Sequence, residues 1–174
     1  MLETQKLTRR KLLASSLAAG GIATLSSVFL GRLWSTDAQA TEGVFEIIKT
    51  EDEWRKLLTK DQFYVMRKEG TERAGTSPLN NEKRDGIFQC AACELDLYAS
   101  KDKYDSKTGW PSFTRPISDD AVATKEDRIL FFARTEVHCR RCGGHLGHIF
   151  NDGPKPTGKR HCINGVSLKF KPAV

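Results

Sequence analysis

Beyond residue 40 this chain of 174 residues has no run of basic residues, no aromatic stripe threaded between them, no internal repeat and no low-complexity stretch. The first two absences argue against a nucleic-acid surface; the last two leave an ordinary folded domain. Cysteine is scarce as well, five in all, and the five are unevenly spaced. Cys90 and Cys93 form one C-x-x-C pair, Cys139 and Cys142 a second, and Cys162 stands alone in Arg160-His161-Cys162-Ile163-Asn164. Two thiolate pairs are what a tetrahedral zinc ion needs. A single thiol flanked by a cation and by hydrogen-bonding side chains is what a nucleophile needs.

The length suits one domain with an appendage, and residues 1–40 read as the appendage. Arg9 and Arg10 precede an apolar run from Leu12 to Leu30 that contains Gly20 and Gly21, and Ala38-Gln39-Ala40 offers a small-x-small cleavage site. The paired arginines and modest hydrophobicity resemble a twin-arginine export signal. The expectation is a cleaved signal over 1–40, a domain over 41–174 and export to a bacterial periplasm, with the membrane met only in transit. The alternative is an uncleaved anchor, since the run approaches spanning length. Without residues 1–40 the chain keeps 23 basic and 20 acidic residues, a net charge of +3 that is ordinary for a small soluble domain.

In the mature region Thr50-Glu51-Asp52-Glu53 reads as a capping box ahead of Trp54, Leu57 and Leu58, one face of a short helix. Thr59-Lys60-Asp61-Gln62 repeats the pattern ahead of Phe63 and Met66, and Gly70 is the expected stop. A short strand is expected at Phe45–Ile48. From Gly86 onward the pattern turns to strands, including a long β-prone run from Arg128 to Val137. Val166, Leu168 and Phe170 alternate with Ser167, Lys169 and Lys171 as a half-buried closing strand. Gly153, Pro154, Pro156 and Gly158 mark a loop. The predicted class is mainly β: antiparallel sheets around a four-cysteine zinc site, with short N-terminal helices.

In an oxidising space five cysteines could give two disulfides and a free thiol. The two C-x-x-C pairs favour zinc, because each places two sulfurs on one tight turn. Four thiolates make a closed site with no position for substrate, which points to a structural Zn2+ tying together distant parts of a small domain. His138, beside Cys139, is a competing ligand. For Cys162, strand alternation puts Arg160 and Asn164 on its own face, which argues against a purely apolar setting, the commoner fate of a lone cysteine. His145 and His148 are candidate proton donors or ordinary polar residues. Asp152 can hold Arg160 or a histidine, and Trp110 is either a core anchor or a wall for a ligand.

Gly109-Trp110-Pro111-Ser112-Phe113, His145-Leu146-Gly147-His148, Asn151-Asp152-Gly153-Pro154 and Arg160-His161-Cys162-Ile163-Asn164, in that order, resemble the B-type peptide methionine sulfoxide reductases, which act on the R epimer. The likeness runs from about Glu51 to Phe170, and the two C-x-x-C pairs match the zinc-binding branch. The resemblance implies a β-rich reductase fold that repairs oxidised proteins carrying methionine-R-sulfoxide. It implies Cys162 as nucleophile, His145 and His148 as proton donors, and Asn164 polarising the oxygen. Arg160, steadied by Asp152, would favour the thiolate, and Trp110 would pack against the substrate methyl. One position departs from the pattern: Thr108 stands where many members carry a resolving cysteine. The resulting expectation is a sulfenic acid reduced directly by an external thiol or a thioredoxin-like protein. A non-catalytic zinc-scaffold binding module and an exported dithiol oxidoreductase are the rival classes.

Overall fold

The computed structural model describes residues 45–129 and 132–174. The expectations for residues 1–40 lie outside the described residues. Phe45–Ile48 is not a strand: the segment is irregular, joined to the second C-x-x-C turn by one backbone bond from Ile47 N to Arg141 O (3.0 Å).

Both capping boxes form. Thr50 Oγ1 accepts from Glu53 N (3.3 Å) while Glu53 accepts from Thr50 N (2.7 Å), which starts α1 at Glu51–Leu57. Thr59 and Gln62 do the same for α2, Lys60–Lys68. These reciprocal bonds satisfy amides that a helix start leaves unpaired. Trp54 and Leu58 are buried, but Leu57 is 60% exposed, so the inward face of α1 is narrower than its apolar spacing suggests. Helix α2 buries Phe63, Val65 and Met66 and ends at Glu69 in the left-handed conformation (φ 54°), one residue before the expected stop at Gly70.

The rest is antiparallel β. Strands β1 (Gly86–Cys90), β2 (Asp96–Ala99) and β9 (Leu168–Pro172) make a three-stranded sheet in the order β2-β1-β9. Strands β3 (Lys103–Tyr104), β4 (Ser112–Phe113), β5 (Val122–Ile129), β6 (Phe132–Cys139), β7 (His145–Phe150) and β8 (Arg160–Ile163) make a six-stranded sheet in the order β3-β4-β8-β7-β6-β5. The β-prone run from Arg128 to Val137 is therefore divided between β5 and β6. Phe88 of the small sheet meets Phe113 of the large one edge-on at 5.0 Å, and Tyr98 stacks on Phe113 at 4.4 Å. Leu97, Val137, Leu146 and Ile163 fill the space around them, with Trp54, Phe63 and Met66 closing it from the helices. The closing strand begins later than expected. Gly165–Ser167 is a 3-10 turn, and Ser167 is fully buried, donating its hydroxyl to His145 O (3.1 Å).

Candidate active site and metal-ligating cluster

The two C-x-x-C segments fold into matching turns. Glu94 N donates to Cys90 O (2.8 Å) and Cys90 N to Leu95 O (2.8 Å); Gly143 N donates to Cys139 O (2.9 Å) and Cys139 N to Gly144 O (2.9 Å). In each turn the residue after the second cysteine is left-handed, Glu94 at φ 59° and Gly143 at φ 66°. The turns face one another, so all four sulfurs lie within 4.8 Å. The closest approaches run between the turns, Cys90 to Cys142 at 3.7 Å and Cys93 to Cys139 at 3.5 Å. A disulfide needs about 2 Å, whereas sulfurs at ~2.3 Å from one tetrahedral ion stand roughly 3.8 Å apart. The donor set and its spacing therefore fit a metal ion and not disulfides, and the cluster ties the end of β1 to the end of β6. His138 lies outside this cluster.

Cys162 is separate from that cluster, and strand register explains its neighbours. Lys125, Glu136, His148, Cys162 and Ser112 are successive cross-strand partners from β5 through β6, β7 and β8 to β4. Partners in register share a face, so one row of polar side chains crosses the sheet. Two residues along, Phe150 partners Arg160. Gly147 lets β7 lie close to β8, for a Cβ there would sit 2.0 Å from Cys162 O.

Above this face is a pocket of about 140 Å3 whose walls include Trp110, Arg134, His148, Phe150, Cys162 and Asn164, with Thr71 at its edge. It is smaller than the ~300 Å3 at which small-molecule sites usually begin, and suits the end of one side chain. Trp110 is thus a wall of the site; its indole N–H donates to Glu72 O (3.1 Å), which ties it to the segment after α2.

The surroundings of Cys162 favour the neutral thiol. Burial pushes the Cys162 thiol up, and Arg160 and the Thr108 hydroxyl (3.9 Å from Sγ) pull it down without overcoming burial. Arg160 thus favours the thiolate in the expected direction, and burial opposes it. Arg160 is held as expected, gripped by Asp152 through two bonds (2.9 and 2.8 Å) and laid over the Phe150 ring at 4.3 Å.

His148 lines the pocket, with Nε2 against Asp127 Oδ2 at 2.8 Å. The carboxylate is an acceptor, so Nε2 carries the proton and Nδ1 is the free base in the neutral ring. Burial holds His148 below the usual histidine range despite the pull of Asp127, so the ring is neutral at pH 7. Asp127 also takes Arg134 at 2.6 Å. His145 is not at the pocket wall: it is 2% exposed beneath it, its ring edge-on to His148 at 5.4 Å. Asn164 is engaged at both ends of its amide, accepting from Glu72 N (2.9 Å) and donating to Leu146 O (3.0 Å). One N–H and one lone pair of Oδ1 are left for a substrate, so it is first a clamp.

Asp127, Arg134, Glu136 and Glu72 were not singled out from the sequence. Asp127 and Glu136 are partnered across strands, and no spacing rule links them to β7 before the register is known. Glu72 joins the pocket's two sides: its N–H meets Asn164, its carbonyl meets Trp110, and its carboxylate accepts from Gly165 N (2.5 Å) and Val166 N (3.0 Å).

Residues 58–172 match the SelR domain. The chain belongs to the SelR family. It is similar to a protein of Methanosarcina barkeri named peptide methionine sulfoxide reductase MsrB, 54% identical over 123 residues, which cover 71% of this chain and 87% of that one. Proteins of the same name from Pseudomonas putida and Leptospira interrogans are 50% and 47% identical, each over 127 residues that cover 73% of this chain and 96% or 97% of theirs. The shared SelR region takes in both C-x-x-C turns, the Trp110 wall and the strand that carries Cys162.

Proposed function

We propose that this SelR protein reduces methionine-R-sulfoxide in oxidised proteins to methionine. The observation that carries the reading is that Cys162 shares a small pocket with Trp110 and His148 while standing outside the four-sulfur cluster. Cys162 Sγ attacks the sulfoxide sulfur as its proton passes to the neutral His148 and on to the sulfoxide oxygen. The hydroxyl passes from the substrate sulfur to Sγ as the substrate's S–O bond and the newly formed Sγ–S bond break; the substrate sulfur gains two electrons and leaves as methionine. Cys162 loses two electrons and becomes a sulfenic acid. No proton is drawn from solvent, because the thiol supplies the one that the oxygen needs. Arg160, held by Asp152, stabilises the thiolate as it forms. Trp110 receives the methyl group and so selects the epimer by shape.

Thr108 occupies the position where a resolving cysteine would be useful, so an external thiol attacks the sulfenic acid, releasing water, and a second thiol frees Cys162 as the disulfide of the reductant. Cys90, Cys93, Cys139 and Cys142 would hold one Zn2+, which supplies a structural cross-link and takes no part in turnover. The twin-arginine-like segment over 1–40 supports export to a periplasm, where oxidants reach exposed methionines. The reading is tested with the full chain, separate R and S sulfoxides of a methionine peptide and a chemical dithiol, alongside zinc analysis. Turnover of the R epimer alone, with one zinc per chain, is the expected result. Equal turnover of both epimers, or none, contradicts it.

A further inference from the structure

One buried carboxylate has no part in the chemistry above. Glu136 in β6 is 3% exposed and has Lys125 and His148 as its cross-strand partners. Its Oε1 stands 3.1 Å from His145 Nδ1 and 3.9 Å from His138 Nδ1, and its Oε2 stands 3.2 Å from Lys125 Nζ. Lys125 continues to Glu69 at 2.5 Å, at the end of α2. A carboxylate is expensive to bury unless it is paired. Burial pushes the Glu136 carboxyl up, but His145 and Lys125 pull it further down, so it rests ionised.

His145 supplies the second observation. Buried beneath the pocket, it makes no aligned hydrogen bond through either ring nitrogen, although Nδ1 is within ion-pair distance of Glu136. Buried polar groups are nearly always satisfied, and one that is not calls for an explanation. Packing alone would have been served by an apolar ring. Hydrogen bonds in resting sites are often loose and tighten only when substrate or charge arrives.

We propose that Glu136 is the positioning residue of the histidine pair: its anion orients His145 and favours a proton on the His145–His148 pair, and Lys125 on the opposite side limits that bias. The proposal rests on the reductase reading, in which His148, against which the His145 ring packs edge-on, relays a proton to the sulfoxide oxygen. The charged groups facing the pair are Lys125 and Asp127 from β5, Arg134, Glu136 and His138 from β6, Arg160 and Cys162 from β8, and Glu69 beyond α2. Lys125 and Glu136 lie outside both the pocket wall and the metal-ligating turns, so they can be changed without altering either. Glu136 acts through the histidines and does not meet the substrate, so its role shows as a displaced pH profile and not as weakened binding.

The test is single-turnover reduction of an R-sulfoxide peptide by the reduced full chain, from pH 5.5 to 9.5, for wild type, Glu136→Gln and Lys125→Met, with metal content measured on each. The rate falls with falling pH as His148 takes up a resting proton and can no longer accept the one from the thiol. Glu136→Gln should slow the reaction roughly tenfold near pH 7.5 and move that fall to lower pH. Lys125→Met should move it to higher pH. Half-saturation should stay within twofold in both. A merely structural role gives displacements in the same direction or none, and either result overturns the proposal. Where Glu136→Gln fails to fold, nitrogen-15 spectra of wild-type His145 decide alone. A protonated Nδ1 near pH 7 is expected, and a ring protonated only on Nε2 overturns the assignment. A wild-type chain inert toward the R-sulfoxide sinks the reductase reading instead, and the spectra still judge Glu136.

Discussion

Replacing Arg160 by Met isolates how far the cation governs the nucleophile. Arg160 and Cys162 lie two residues apart on one face of β8, with Cα atoms roughly 7 Å apart, an outer limit for the charges because the guanidinium also reaches toward the sulfur. At that separation two unit charges attract by about 2 kcal/mol in an effective dielectric of 20. Solvent at the mouth of the pocket screens the attraction, and Asp152, gripping the guanidinium, adds a small repulsion of the same sulfur. A net of about 1 kcal/mol makes the thiolate roughly fivefold less populated below its pKa. Alkylation of Cys162 by iodoacetamide reads that population directly and needs no substrate. The Arg160→Met protein should react about fivefold more slowly than wild type at pH 7, and Arg160→Lys should recover most of the loss. Asp152→Asn should change the rate less than twofold, since that side chain is 61% exposed and water screens its charge. Wild type should still be gaining rate above pH 8, because burial outweighs the cation. Equal rates for Arg160→Met and wild type from pH 6 to 9 would refute the electrostatic argument. A wild-type rate already flat at pH 6 would refute the neutral resting thiol.

Other outcomes follow from the same geometry. Thr108→Cys places a thiol where Oγ1 now stands 3.9 Å from Cys162 Sγ, so one turnover should cost that variant two hydrogens in mass while wild type gains one oxygen. Trp110→Phe keeps a ring but loses the bond to Glu72 O, and should raise KM severalfold with a smaller change in kcat. Stripping the metal with a chelator should unfold or grossly destabilise the chain, since a four-thiolate zinc site contributes on the order of 10 kcal/mol; thermal unfolding with and without zinc repletion checks it. His161, buried against Tyr98, is held down to about 4 by burial, with Lys159 adding to it. Above about pH 6.5 neither state binds this proton, and between there and pH 4 only the unfolded chain does. Stability should therefore fall as pH drops through that window, by on the order of 2–3 kcal/mol, and urea midpoints of His161→Gln should fall less steeply than those of wild type.

What was legible in the sequence is what local chemistry decides. The capping boxes at Thr50 and Thr59 formed because both partners lie within one turn. The C-x-x-C pairs announced two sulfur-bearing turns, and strand alternation placed Arg160 beside Cys162. The misreadings lie where tertiary contacts decide. Leu57 has helical spacing but no surface to pack on, Ser167 is drawn inward by the His145 carbonyl, and Phe45–Ile48 has no strand to pair with. The partners of the histidines were hidden for the same reason: Glu136 reaches His148 only through the β6–β7 register, and Asp127 reaches it from a strand further. Asn164, whose role the resemblance implies, does line the pocket; its bond from Glu72 N was hidden in the sequence because Glu72 lies 92 residues away.

The most direct measurement is the mass of the peptide carrying Cys162 after one turnover of wild type and of Cys162→Ser with a methionine-R-sulfoxide peptide. One oxygen gained at Cys162 for each methionine formed, with no product from the serine variant and its four-cysteine metal site still filled, is the predicted result. Methionine formed by the serine variant, or oxygen recovered on a cysteine of the metal cluster, would contradict the account.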